Sequence, residues 1–281
     1  MSARAAIARL KRAKGFVLDM DGTLVLGDRN NHSIRALSGA AAFVAHLRAT
    51  GVPHVSFTNG TVRPPRDIAP KLADAGIDIA AEAILTPASV AADYFVRKKL
   101  SRILALGGEG VSKPLEAAGL EIIRPPLRGR VDAVFAGWFR DFTMADIEAA
   151  CDAVWSGAGL YVASLVPCFA TAEGRTLGTS AAIAGAVRQI TGARAKLLGK
   201  PSLEALKAAS HVLKLPTWEI AVVGDDPALE IVMAHKGGAL SIGVTTGVAR
   251  AEDYAAVPRK NRAHLVVRDM EHLLSLYRGR S

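Results

Sequence analysis

The sequence predicts an α/β fold built on parallel sheets, and three observations predict it. Short apolar runs that end in Gly or Asp alternate with longer Ala-rich stretches of helical period, the alternation of βαβ units. The runs are apolar on both faces, as strands covered by helices on either side are. The same alternation restarts independently in the middle of the chain, so a second α/β unit interrupts the first.

Taken in order, Met1 to Lys14 reads as a short amphipathic helix carrying Arg4, Arg9, Lys11, Arg12 and Lys14. Gly15 to Leu18 is a first buried strand, Gly39 to Thr50 a helix and Val52 to Thr58 a second strand. The middle unit has strands at Ile103 to Leu106, Asp132 to Gly137 and Leu160 to Ser164, with a helix at Met144 to Trp155. After it come a helix at Ser202 to Leu213, strands at Glu219 to Gly224 and Ala239 to Val244, and an edge strand at His264 to Val267. The expected division is a core of residues 1–85 and 196–281 with an inserted α/β domain at 86–195, because the residues able to do chemistry fall outside that interval. No solenoid repeat or low-complexity segment interrupts this layout.

Composition narrows the function classes. Half of the 281 residues are apolar, enough for a sizeable core, yet no run approaches the roughly 18 apolar residues of a membrane helix. No apolar segment with a cleavage site follows the basic N-terminus, so no secretory signal is expected. Cys151 and Cys168 have no metal-ligand spacing, and a cytoplasmic location is the default. The net charge of +9 is dispersed among acids, which argues for a solvated basic surface and against nucleic acid as partner, while still favouring an anionic substrate. The seven histidines lack any ligand spacing, and Gly107-Gly108-Glu109-Gly110 reads as a turn, without dinucleotide or phosphate-loop spacing. Trp138, Trp155 and Trp218 are expected to pack against the core.

Four strand ends carry the candidate chemistry. The first strand runs into Asp19-Met20-Asp21-Gly22-Thr23, two carboxylates beyond the carboxyl end of a strand, where ligands of open parallel sheets bind. By itself this pair serves equally as an ordinary Asx turn. The second strand ends in Thr58-Asn59-Gly60, a hydroxyl with a turn whose N–H groups can meet a phosphate, or simply an Asn-Gly turn. Lys200, followed by Pro201 as apparent first residue of a helix, adds a full charge to an anion-favouring helix start, or is a solvated lysine beside a cap. Gly224-Asp225-Asp226-Pro227 places an acidic pair at the end of a buried strand, which is costly unless a cation or a helix start uses it. Asp225 is assigned to the metal and Asp226 to the N-cap.

In chain order these stations resemble the haloacid dehalogenase-like (HAD) superfamily, and the large insertion resembles that of its subfamily IIA, the NagD-like phosphatases with a C2-type cap. Ile84-Leu85-Thr86-Pro87 and Gly243-Val244-Thr245-Thr246-Gly247 are similar to that subfamily as well. The resemblance implies a Rossmann-like core and a magnesium-dependent phosphatase acting on a small phosphorylated metabolite. Asp19 would be the nucleophile and Asp21 the acid and base. The Asp19 and Asp225 side chains and the Asp21 carbonyl would hold Mg2+, with Thr58, Asn59 and Lys200 on the phosphate. A homodimer is an expectation of the resemblance alone.

Two places depart from the pattern. Five positions after Asp225, where relatives carry a second Asp, stands Glu230, either a support to the metal through water or an early-helix acid favoured by the macrodipole. The inserted domain has Ser164-Leu165-Val166-Pro167-Cys168 where relatives have another loop, making Ser164, Leu165 and Cys168 the expected specificity residues; Cys168 reads equally as a small buried thiol. The alternatives are a binding or regulatory protein with little turnover, or a phosphomutase. A haloalkanoate dehalogenase would need neither magnesium nor Asp21.

Overall fold

The computed structural model describes residues 1–27, 34–171 and 174–279. It divides into two compact units: 1–58, 66–85 and 201–281 form the first, and 59–65 with 86–200 form the second.

In the first unit a six-stranded sheet has the order Leu265–Val267, Leu240–Val244, Ile220–Gly224, Gly15–Asp19, His54–Phe57, Ile84–Leu85. Every pairing is parallel. From the central Gly15–Asp19 strand the chain builds outward on one side and then returns to build the other. The order therefore reverses at that strand, and its carboxyl end opens into the crevice where such sheets bind ligands. The Gly15–Asp19, Ile220–Gly224 and Leu240–Val244 strands are buried along their whole length, as the continuous apolar runs required. The helices Ala3–Leu10, Ala40–Ala49 and Met270–Arg278 turn Leu10, Phe43, Leu47 and Leu273 into a core with Phe16, Leu18, Leu24 and Ile242. Each such side chain contributes about 1.5–3 kcal/mol by leaving water. Phe16 meets both Phe43 and Tyr277 edge-on at 5.3 Å, which fixes the packing of the central strand.

The second unit has its own parallel sheet, ordered Lys196–Leu197, Gly159–Val162, Ala133–Ala136, Arg102–Leu106, Glu121–Ile123. Its core joins Leu104, Val134 and Leu160 to Ile147 of the Met144–Trp155 helix and Ile183 of the Thr179–Thr191 helix. Thr143 starts the former through a reciprocal exchange with Asp146.

Several local expectations are corrected. Lys196 and Leu197 pair with Tyr161 and Val162, so the second unit extends through Lys200. Pro201 precedes the helix it was expected to begin: Ser202 is the N-cap, accepting from the Ala205 amide, and Leu203 is the first helical residue. Gly108 caps the Glu109–Ala117 helix, so Gly110 is helical and the run is a helix start. Trp155 and Trp218 are 63% and 66% exposed, because both lie at element ends, the last turn of a helix and a single 3-10 turn, beyond the reach of either core. Among the described residues no helix is long and apolar enough to cross a membrane.

Candidate active site

Asp19 is the last residue of the central strand and stands opposite Phe57, so Thr58 follows immediately on the neighbouring strand. On the other side Leu18 stands opposite Val223, and Asp225 comes directly after the end of that strand at Gly224. Register in a parallel sheet, with neighbours about 4.8 Å apart, thus brings three polar side chains to adjacent tips. Asp19, Thr58 and Asp225 are all at least 95% buried, with 5%, 5% and 3% exposure. Two carboxylates are rarely buried side by side without positive charge to offset them, which makes these tips the candidate functional site.

The loops that leave these strands close on one another. Gly22 has φ of +86°, a conformation that costs a side-chain-bearing residue about 1–2 kcal/mol. It turns the chain so that the exposed Asp21 carboxylate accepts from the Thr58 hydroxyl at 3.0 Å. The Asp225 carboxylate lies between Gly22 and Gly247. A Cβ at either glycine would sit 2.4 or 2.0 Å from Asp225 Oδ2, so neither position has room for a side chain. That same oxygen accepts from the Val248 amide at 2.7 Å. The Asp21 carboxylate is committed to Thr58, and among the described residues no three His, Cys, Asp or Glu side chains form a metal cage.

Asp226 is the N-cap expected of it, accepting from the Ala228 amide at 2.7 Å. Glu230 is 2% exposed and folds back to accept from the Asp226 amide at 3.1 Å; its stem occupies the space that a Cβ on Gly224 would need. Glu230 therefore braces the loop that carries Asp225. Tyr254 lies below this loop and was not singled out by the sequence. Its hydroxyl is 3.1 Å from the carbonyls of Gly224 and Val244, and its ring fills the place of the missing side chain of Gly243. Burial and the negative charges of Asp225, Glu230, Asp226 and Asp19 push this phenol well above its ordinary range, so it remains a donor.

The other predicted residues belong to the second unit. Asn59 and Lys200 are joined by two hydrogen bonds: the Lys200 amide donates to Asn59 Oδ1 at 2.8 Å, and Asn59 Nδ2 donates to the Lys200 carbonyl at 3.1 Å. Lys200 is 3% exposed, contrary to what a solvated lysine would show. Ser164 Oγ accepts from Val166 N, and the Ser164 carbonyl accepts from Ser180. Leu165 is half exposed and, with Pro167, Ala184, Arg188 and Arg194, lines a cavity of about 660 Å³. Cys168 is half-buried and lines no part of it.

This arrangement has known counterparts. Residues 16–121 match the model of the haloacid dehalogenase-like hydrolases, and residues 197–273 match a second HAD hydrolase-like model. The acid sugar phosphatase of Staphylococcus haemolyticus is 30% identical over 245 residues, 87% of this chain and 89% of that protein. The structure of 4-nitrophenylphosphatase from Thermotoga maritima superposes with a TM-score of 0.84 at 25% identity, covering 96% of this chain and 99% of that one. That of glycerol phosphate phosphatase from Mycobacterium tuberculosis in complex with magnesium gives 0.82 at 25% identity, covering 94% and 77%. The chain belongs to the haloacid dehalogenase-like hydrolases. Within that family it is a phosphoric monoester hydrolase.

Proposed function

We propose that the protein is a magnesium-dependent phosphatase that hydrolyses a small phosphomonoester in the cytoplasm through an aspartyl-phosphate on Asp19. The observation that carries this reading is the convergence of Asp19, Thr58 and Asp225 on three neighbouring strand ends, with Asp21 drawn in by Thr58. The donor set suits magnesium: the buried carboxylates of Asp19 and Asp225 and the Asp21 carbonyl offer oxygen alone, and few enough atoms to leave coordination positions to water and phosphate. The Asp19 and Asp225 carboxylates and the Asp21 carbonyl would hold it. When bound, it supplies the positive charge that lets an anionic nucleophile approach an anionic phosphate.

In the first step an Asp19 carboxylate oxygen forms a bond to phosphorus as the bond to the substrate's alcohol oxygen breaks, and Asp21 gives that oxygen its proton. In the second step Asp21 takes a proton from water as the water oxygen displaces Asp19 from phosphorus, returning both groups to their starting states. The Thr58 bond to Asp21 keeps the acid from swinging into solvent between the steps. The family resemblance assigns Thr58, Asn59 and Lys200 to the phosphoryl oxygens, Lys200 offsetting their charge, and Asn59 and Lys200 are tied to each other. Phosphate release from p-nitrophenyl phosphate with added magnesium tests the reading. Well-folded protein that releases none at any metal concentration would show a binding protein instead.

A further inference from the structure

The loop Thr245 to Val248 has no part in the chemistry just described, yet it touches both of the segments that do. Thr246 Oγ1 donates to the Gly22 carbonyl at 2.6 Å, and two residues later the Val248 amide donates to Asp225 Oδ2 at 2.7 Å. Between them Gly247 lies so close to Gly22 that a Cβ on Gly247 would be 2.8 Å from the Gly22 Cα. All of these residues belong to the first unit.

Gly22 is held on both sides. Its N–H donates to the Val25 carbonyl at 2.8 Å, and its own carbonyl is taken by Thr246. A peptide is planar and trans, so the Asp21 carbonyl points opposite to the Gly22 N–H. The Val25 bond therefore sets the direction of the Asp21 carbonyl, the Thr246 bond keeps the far side of Gly22 from rotating away from it, and the Val248 amide holds Asp225 Oδ2 in place.

We infer that Thr246 is a positioning residue, a clasp that sets the Asp21 carbonyl and the Asp225 carboxylate at the separation one cation requires. The inference rests on the reading of Asp19, Asp21 and Asp225 as a single magnesium site. A hydroxyl is needed because the Gly22 carbonyl wants a donor, and a threonine supplies it with only one rotatable bond to order. Partners that orient metal ligands in this way are worth about 10-fold or more in metal affinity.

The test compares wild type, Thr246→Val, which keeps the shape and loses the donor, and Thr246→Ser, which keeps the donor. Amide hydrogen exchange across 245–249 is measured on metal-free protein, and the Mg2+ dissociation constant by titration calorimetry, with Asp225→Asn as reference. In the valine variant, exchange at Val248 is expected to quicken by about 10-fold and Mg2+ binding to weaken by about 10-fold. Turnover falls while KM stays within about twofold, and serine restores all three. Magnesium binding in Thr246→Val within about twofold of wild type, exchange left unchanged, or a serine variant no better than valine each overturns the inference. Wild type that binds no Mg2+, or Asp225→Asn that binds it equally well, overturns the cation site itself, and shows this before any Thr246 variant is made.

Discussion

Gly247→Ala puts the packing of the two loops to a direct test. The new methyl carbon would fall 2.0 Å from Asp225 Oδ2, 2.6 Å from its Cγ and 2.8 Å from the Gly22 Cα, that is, against a hydrogen-bonded carboxylate and against backbone. Gly247 is not among the glycines of positive φ, so alanine suits its backbone and the conflict is purely steric. To restore ordinary contact the carboxylate or the Gly22 loop must retreat by roughly 1 Å or more, and a displacement of that size in a reacting constellation costs on the order of 100-fold. That is about 2.7 kcal/mol of barrier. The overpacking itself costs about 1–3 kcal/mol of stability, too little to unfold a chain of this length. The assay is p-nitrophenyl phosphate turnover across a magnesium titration, with thermal melts by circular dichroism. Activity should fall by about 100-fold, the magnesium midpoint should rise, and the melt should stay cooperative. Gly185→Ala is the control: it lies in the Thr179–Thr191 helix with open space around its Cβ direction, and alanine there should leave activity alone. Gly247→Ala with wild-type turnover and midpoint would refute the argument that Asp225 is held between two glycines.

Asp19→Asn and Asp225→Asn should each lower phosphate release by at least about 100-fold with melting transitions intact, since each removes charge organised for the transition state; retained activity in either would remove that residue from the site. Lys200→Ala should lose a comparable factor, and an unchanged rate would take Lys200 off the phosphate. Tyr254→Phe should lower stability by about 1–2 kcal/mol in denaturant unfolding, because two strand-end carbonyls lose a shared donor. Asp132 accepts from the Ser101 and Arg102 amides, and chiefly these bonds hold its carboxyl below the usual range. A depressed folded-state pKa stabilises above the unfolded value and is lost as pH falls through the folded one. Asp132→Ala should therefore melt lower than wild type at pH 7, with a gap that closes well below pH about 3.9.

Most of the first unit is legible in sequence because its strands are short, apolar on both faces and punctuated by the candidate site residues. Asp19, Thr58 and Asp225 announce themselves by standing where an apolar run stops, and register then does the assembling. The parts that were not legible depend on distance rather than pattern. Nothing near Tyr254 in the chain says that its hydroxyl will reach Gly224 and Val244; the only trace is Gly243, a glycine inside a strand whose missing side chain makes room for the ring. Thr246 and Gly247 resemble the family without any local property that assigns them a task. Trp155 and Trp218 misled for the opposite reason: a large apolar residue suggests a core, but an element's end can leave it in solvent.

Glu230 shows how a departure from the family pattern can be absorbed. A longer acid at this position could push the Asp225 loop outward or leave a carboxylate without a role. Neither happens, because Gly224 offers the volume its stem fills and the Asp226 amide gives the carboxylate a donor. Asp226 is in turn held by its own cap on Ala228, so the turn after the strand is braced at two successive residues. On this geometry the longer stem is accommodated within a loop that keeps Asp225 against Gly22. The carboxylate of Glu230 serves the backbone beneath Asp225, its stem filling the volume left by Gly224 and its oxygen taking the Asp226 amide.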